Sequence, residues 1–496
     1  MNIAAREPIA LRELRQAARQ RRVPLLVGGL PLVLLLVGMV LAASMGTYSE
    51  PAAIGSSMFE AFFAIATCVV VIVGATVAAS GIASEREGHT WEALLLSGMH
   101  PAAIARGKFL SAFTQASLYL VVLAPGAGLA FVFGGVPLRE LVIAFGLLLA
   151  VAALAVAFGL AVSSYTQSAR GALAGALIAT LVVGPTMYGI FSTTGMSLGD
   201  SLHDESLHGA TWLARAIANA PLTLRSLLFF VVDPLLVLVL PGTFLLEVTR
   251  ANLADPTADR STGIRRWYLV ASLLLVLGAG ATNVAIGSQS TGVTLVFVLL
   301  VAAHLGFGTL VFGAEPVAPS RRVEAGWART GGATLLRRIL GPGIGAATVL
   351  HAVVGTVALG GMYVVGRAIG VDHLLYLGLA SAYAIGFHLF LAGASGLLLA
   401  RFERPALARG AVMLGGAFLG IAPLLASAVL RIVTGEHRWE LLESASPFFL
   451  LTVGSSTPGD TAVSAASIAS TTYGIVGAGL VALTFMTARR KLNRST

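Results

Sequence analysis

A chain of 496 residues that is 56% hydrophobic and 11% charged, with a mean hydropathy of +0.87, lies far from the roughly 25% charged content of soluble domains, so water is excluded as its main solvent. Its single cysteine, Cys68, excludes a disulfide framework and a cysteine-based metal site. The net charge of +9 would suggest nucleic acid as the partner of a soluble protein, but its distribution along the chain assigns it to the membrane instead.

The N-terminal segment "IALRELRQAARQRR" reads as a basic helix lying on the membrane surface. The apolar run behind it is longer than the h-region of a secretory signal, so it is expected to be a retained anchor. Apolar blocks near the length needed to cross the hydrocarbon then recur at 24–43, 58–82, 109–132, 141–163, 171–191, 229–248, 267–285, 293–313, 342–365, 374–400, 410–430 and 466–487. They are continuous and do not alternate, which argues for helices and against the strands of a β-barrel. The expectation is an all-α polytopic integral membrane protein with about twelve transmembrane helices and both termini on one side. Alternate loops then place all but six of the 32 Lys/Arg on the side of the termini; Arg139, Arg215, Arg225, Arg367, Arg431 and Arg438 fall opposite. Positive residues flanking short loops set orientation, so the Arg-rich side and both termini are expected in the cytoplasm, and the membrane is expected to be the cytoplasmic one.

Between the second and third spans stands "SEREGHTWEALLLSGMHPAAIARGKF", residues 84–109. Ser84 and Glu87 have the capping-box spacing, which predicts a helix starting at the membrane exit. "TWEALLL" places apolar residues on more than one side of a short helix, Pro101 suits the first turn of the next one, and Arg106 and Lys108 are expected at the headgroup level. The segment reads as an elbowed helix parallel to the bilayer, with an ordinary solvated loop as the bland alternative.

Each half of the chain places a cytoplasmic basic segment after its second span, at 84–108 and 314–338. Each also ends its longest external segment on a proline before its last span, at Pro221 and Pro447. Two parallel six-helix halves are expected, 1–248 with the N-terminal surface helix and the 84–108 segment, and a diverged 249–496.

Catalytic, cofactor and metal sites are not expected. The chain has two lysines, Lys108 and Lys491, and neither ends a phosphate-cradling GxxxxGK[ST] loop, so an ATPase of that kind is excluded. Glu60 and Asp233 lie near the outer boundary, where carboxylates are wetted. His304, His351 and His388 read as interhelical hydrogen-bonding residues, with a proton relay as the alternative. The cluster His203, Asp204, Glu205 and His208 in "GDSLHDESLHGA" reads as a solvated outer loop, because histidines five apart do not share a helical face.

"EREGHTWEALLLSGMHPAAIARGKFLSA" resembles the signature of the type-2 ABC exporter permease family, in which ERE-x-GT-x-E-x-LL precedes a proline-containing turn and a GK-L that opens the third span. The match covers Glu85, Arg86, Glu87, Gly88, Thr90, Glu92, Leu94, Leu95, Pro101, Gly107 and Lys108, with Trp91 inside it and His89 interrupting the Gly-Thr pair. Residues 159–177 also resemble the family's turn between spans four and five. The resemblance implies that 84–108 is a coupling helix, its residues docking on a separate nucleotide-binding subunit present in two copies. That subunit would hold ATP-Mg, this chain would hold no cofactor, and export would follow an apolar path between the halves. A gradient-driven twelve-helix secondary transporter and a non-transporting membrane subunit are the alternatives. The partners expected are the ATPase and the lipid bilayer, and not nucleic acid.

Overall fold

A helix satisfies every interior amide within its own segment, which is what a lipid environment demands of the spans. The computed structural model describes residues 8–18, 29, 32, 36, 37, 39, 40, 43, 44, 50–202, 209–313, 315–332, 334–435, 439–449 and 460–495, and all regular structure among them is helical. Eleven helices among the described residues are long and apolar enough to cross a membrane, and they coincide with the second to twelfth expected spans. The first expected span, 24–43, falls mostly outside the described residues, as do His203, Asp204, Glu205 and His208. The chain divides into two compact units, 1–254 and 255–496.

Unit 1 begins with the short helix α1 (Pro8–Ala18) and the span α2 (Pro51–Glu87), followed by a one-and-a-half-turn helix α3 (Trp91–Leu96). Spans α4 (Pro101–Phe133), α5 (Leu138–Tyr165) and α6 (Ala169–Leu202) come next. A short, largely buried helix α7 (Trp212–Asn219) precedes α8 (Leu224–Leu253), which contains one π turn at Leu228–Val232. The long α2 is the axis, packed on α4, α5 and α6. Its seam with α5 is built from small residues, among them Ala75 and Ala78 against Gly159; a Cβ at Gly159 would lie 2.1 Å from the Ala75 carbonyl oxygen. Lipid tails are as apolar as leucine, so association within the bilayer relies on such close backbone approach.

Unit 2 holds spans α9 (Ser261–Ile286) and α10 (Thr291–Phe312), short helices α11 (Arg321–Arg329) and α12 (Leu335–Leu340), and spans α13 (Ile344–Ile369), α14 (Leu374–Phe402) and α15 (Pro405–Thr434). A single turn α16 (Glu440–Glu443) and the span α17 (Asp460–Ser495) complete it. The α14–α17 seam repeats the small-residue device: a Cβ at Gly386 would meet the Ser470 carbonyl at 2.7 Å, and one at Gly393 the Leu480 Cβ at 2.6 Å. Buried polar groups in this unit bond across helices. The Tyr268 hydroxyl lies 2.7 Å from His351 Nδ1, the Thr309 hydroxyl 2.9 Å from His351 Nε2, and His388 Nε2 3.0 Å from the His351 carbonyl. His304 Nε2 is 3.0 Å from the Ser272 hydroxyl. The three histidines thus hold the interhelical positions expected of them, as polar links inside an apolar bundle.

Candidate functional site: the short helix between the second and third spans

The signature residues divide into those that face the protein's interior and those that face away from it. At the end of α2, Glu85 is buried, and its Oε1 accepts from Lys108 Nζ at 2.7 Å and from Arg12 Nη2 at 2.6 Å. Lys108 Nζ also donates to Glu13 Oε1 at 2.8 Å and to the Gly81 carbonyl at 2.9 Å, which uses all three of its protons. The Lys108 side chain is only 3% exposed, so it does not extend to the headgroups as the sequence suggested; two carboxylates retain it inside. Burial raises the Glu13 carboxyl, and the Lys108 and Arg12 charges more than offset that, leaving it below the usual carboxylate range. Arg12, hydrogen-bonded to Glu13 and paired with Glu85, is held above its ordinary value.

Residue 107 completes this clasp. Ile9 of α1 is buried against α4, and a Cβ at Gly107 would stand 2.8 Å from the Ile9 Cβ, so only glycine lets α1 lie this close. The N-terminal helix, expected to rest on the membrane surface, is therefore also anchored to the bases of α2 and α4 by packing and charge.

Arg86 and Glu87 join α2 to the turn between α5 and α6. Arg86 Nη1 donates to the carbonyls of Ser164 and Thr166 at 2.9 and 3.0 Å, at the C-terminus of α5 where a cation is favourable. Its guanidinium also lies over the Trp91 ring, 5.5 Å from the centroid. Glu87 Oε2 accepts from the Ala169 amide at 2.8 Å, capping the first turn of α6. Thus Ser84 and Glu87 do not begin a helix. They lie in the last turn of α2, whose ladder continues past its apolar stretch because these interior partners hold the charged residues in place.

The elbow follows at 88–90. Gly88 closes α2 with its amide on the Ser84 carbonyl and has an ordinary φ of −82°. The left-handed residue is His89, with φ 54°. The Thr90 amide then returns to the Glu85 carbonyl at 3.0 Å, and α3 departs in a new direction. Within α3, Trp91 and Leu94, three residues apart, pack on the unit's core. Thr90 and Glu92 are exposed, and the Leu96 side chain is 87% exposed. Pro101 is the first residue of α4, as expected, with His100 Nδ1 accepting from the Ala102 amide at 3.2 Å.

Sequence reasoning found the segment but not the partners of its charges. The missed residues are Arg12 and Glu13. The available signal was Lys108 itself, one of only two lysines in the chain, placed just inside an apolar run where an unpaired ammonium is costly. At the other end of the unit, Arg215 of α7 reaches Glu140 Oε1 at 3.3 Å and Glu60 Oε1 at 3.4 Å, which gives the Glu60 carboxylate an ion-pair partner.

The turn 166–168 between α5 and α6, singled out in the sequence, receives Arg86 and Glu87 and so belongs to the same end of the unit as α3. Residues 31–227 match the family model described as ABC-2 family transporter protein, and no curated protein or solved structure matches the chain. That match covers α2 to α7 and includes α3, though not Ile9, Arg12 and Glu13 of α1, so this part of unit 1 is similar to the ABC-2 family transporter domain, and the chain is a multi-pass membrane protein.

Proposed function

We propose that the chain is the permease of an ABC exporter in the cytoplasmic membrane, with both termini in the cytoplasm, and that α3 is the coupling helix on which a separate ATPase subunit docks. The observation that carries this reading is the division of the 84–108 segment. Glu85, Arg86, Glu87 and Lys108 are committed to partners within unit 1, whereas Glu92 and Leu96 are exposed on α3, and so is Thr90 just before it, although its hydroxyl donates to the Glu85 carbonyl. ATP-Mg would reside on the partner, two copies of which would serve one chain. Movement imposed on α3 would pass through Trp91, Leu94 and the Lys108 clasp into α2, α4 and α1 together. Glu85, Arg86, Glu87, Gly88, Leu94, Pro101 and Lys108 then act as positioning residues, and Thr90, Glu92 and Leu96 as the contact surface, with Trp91 between the two; the Leu95 side chain lies outside the described residues.

The test is copurification of the tagged chain with an ABC-type ATPase subunit coexpressed with it. Glu92→Arg combined with Leu96→Asp should leave expression and thermal stability within about 0.5 kcal/mol, because exposed substitutions cost little. It should reduce ATPase recovery at least tenfold, since the pair removes an apolar contact and reverses a charge. Full recovery with unchanged transport-linked hydrolysis would remove α3 from the coupling role. Glu87→Arg is a poorer probe, because it also breaks the cap on α6.

A further inference from the structure

The corresponding segment of unit 2, between α10 and α13, has a different chemistry. Ser84–Lys108 of unit 1 carries Arg86, Arg106 and Lys108 against Glu85, Glu87 and Glu92, and is neutral overall. Residues 315–343 carry Arg321, Arg322, Arg329, Arg337 and Arg338 against only Glu315 and Glu324. Of those two acids, Glu315 is already committed: its Oε1 accepts from Arg265 Nε at 3.1 Å and its Oε2 from the Ser261 hydroxyl at 2.7 Å. Arg322 is paired with Asp255 at 3.7 Å, which leaves Arg321, Arg329 and Arg338 as the other exposed cations of the segment. Next to these cations, Leu335 and Leu336 of α12 are 75% and 64% exposed.

Two further contacts hold this pair beside the ends of the spans α9 and α13. α12 ends at Leu340 and the span α13 begins at Ile344, so only three residues separate the leucines' helix from the span. Arg265, fully buried near the start of span α9, donates through Nη1 to the Ile339 carbonyl at 2.7 Å and through Nη2 to the Gly343 carbonyl at 2.9 Å. These bonds fasten α12 level with the ends of two spans. Trp327 fixes α11 to the same place, because a Cβ on Gly341 would lie 2.5 Å from its ring.

We infer that α11 and α12 form an interfacial lipid site in which Leu335 and Leu336 enter the acyl boundary while Arg321, Arg329 and Arg338 bind the headgroups of anionic phospholipids. An amphipathic, cationic element held at the membrane boundary is suited to that partner by both area and charge. Arg337 is used differently, since its Nη1 donates to the carbonyls of Thr330 and Gly332 and holds the α11–α12 turn.

The test uses the full chain with Cys68→Ser and a fluorophore attached through Leu336→Cys, reconstituted in vesicles of phosphatidylcholine with or without phosphatidylglycerol. The label should be shielded from aqueous iodide and quenched by acyl-chain spin labels. Spin-labelled phosphatidylglycerol should quench more strongly than spin-labelled phosphatidylcholine, and that preference should fall about fivefold for each of Arg329→Gln and Arg338→Gln. The same label at Leu335→Cys provides a second variant, and one at Leu96→Cys in unit 1 serves as the water-exposed comparison. Iodide access equal to that at Leu96→Cys, or equal quenching by the two headgroups, would overturn the proposal. So would shielding that arises only when the ATPase is added, which would make the segment a second protein dock.

Discussion

The left-handed residue of the elbow is a histidine and not the glycine beside it. Gly88 supplies the only glycine in 85–92, yet its φ is ordinary, and its neighbour His89 takes φ 54°. A side chain in that region meets its own carbonyl at a cost of roughly 1–2 kcal/mol, which glycine avoids. His89→Gly should therefore stabilise the turn by about 1 kcal/mol, less the extra entropy of the unfolded glycine. Hydrogen exchange at the amides of 89–91, which include the Thr90 amide bonded to Glu85, should slow in this variant. An unchanged or faster exchange would show that the His89 side chain has interactions that outweigh its backbone strain.

Eleven helices were legible because apolar length is a one-dimensional signal, but where they end was less so. α2 continues five residues past its expected end at Ile82, and hydropathy has no access to the reason: Glu85, Arg86 and Glu87 find partners on α1, α4, α5 and α6 that lie far away in sequence. The signature segment was recognisable by residue type, whereas the direction in which each side chain points was not. A capping-box spacing is satisfied equally by the start of a helix and by the charged last turn of a longer one. The clasp at Lys108 yields a test at this scale. Lys108→Met would leave Glu13 and Glu85 facing each other with only the half-exposed Arg12 between them, and losing one partner of a buried pair costs about 3 kcal/mol. The expected readout is release of α1, seen as fast hydrogen exchange over 8–18 while the amides of α2 remain protected. Acid should act on the same contact. Glu13 titrates lower in the folded protein than its ordinary value of 4.5, so its contribution is complete above that pH and is lost as the pH falls through the depressed value. Protection of α1, corrected for intrinsic exchange at each pH, should therefore persist at pH 4.5 and decline only below it. A midpoint above 4.5 would contradict the pairing of Glu13 with Lys108.

At the scale of the molecule, the distribution of arginine and the packing of each unit make a joint statement about sidedness. In unit 1, Arg12, Arg86, Lys108 and Arg250 share the end that holds α3, and Arg139, Arg215 and Arg225 share the opposite end with α7. Unit 2 repeats the segregation within itself, with Arg265, Arg322 and Lys491 at the end of α11 and α12, and Arg367 and Arg431 at the other. Positive residues near short loops are retained in the cytoplasm, so the ends carrying α3 and α12 should both face inward. Single cysteines in a Cys68→Ser background would test this with positions that are exposed and make no contact the fold depends on. Leu222, beside α8, and Leu441, in α16, should react with an impermeant thiol reagent on intact cells. Cysteines at Leu96 and Ala328 should react only after the membrane is permeabilised. Leu96 and Ala328 lie in different units, which makes the outcome sharper than a single-site measurement: labelling of one without permeabilisation would place the two basic ends on opposite faces. An odd number of crossings would then separate α3 from α11, and a single ATPase-facing side for both units would be excluded.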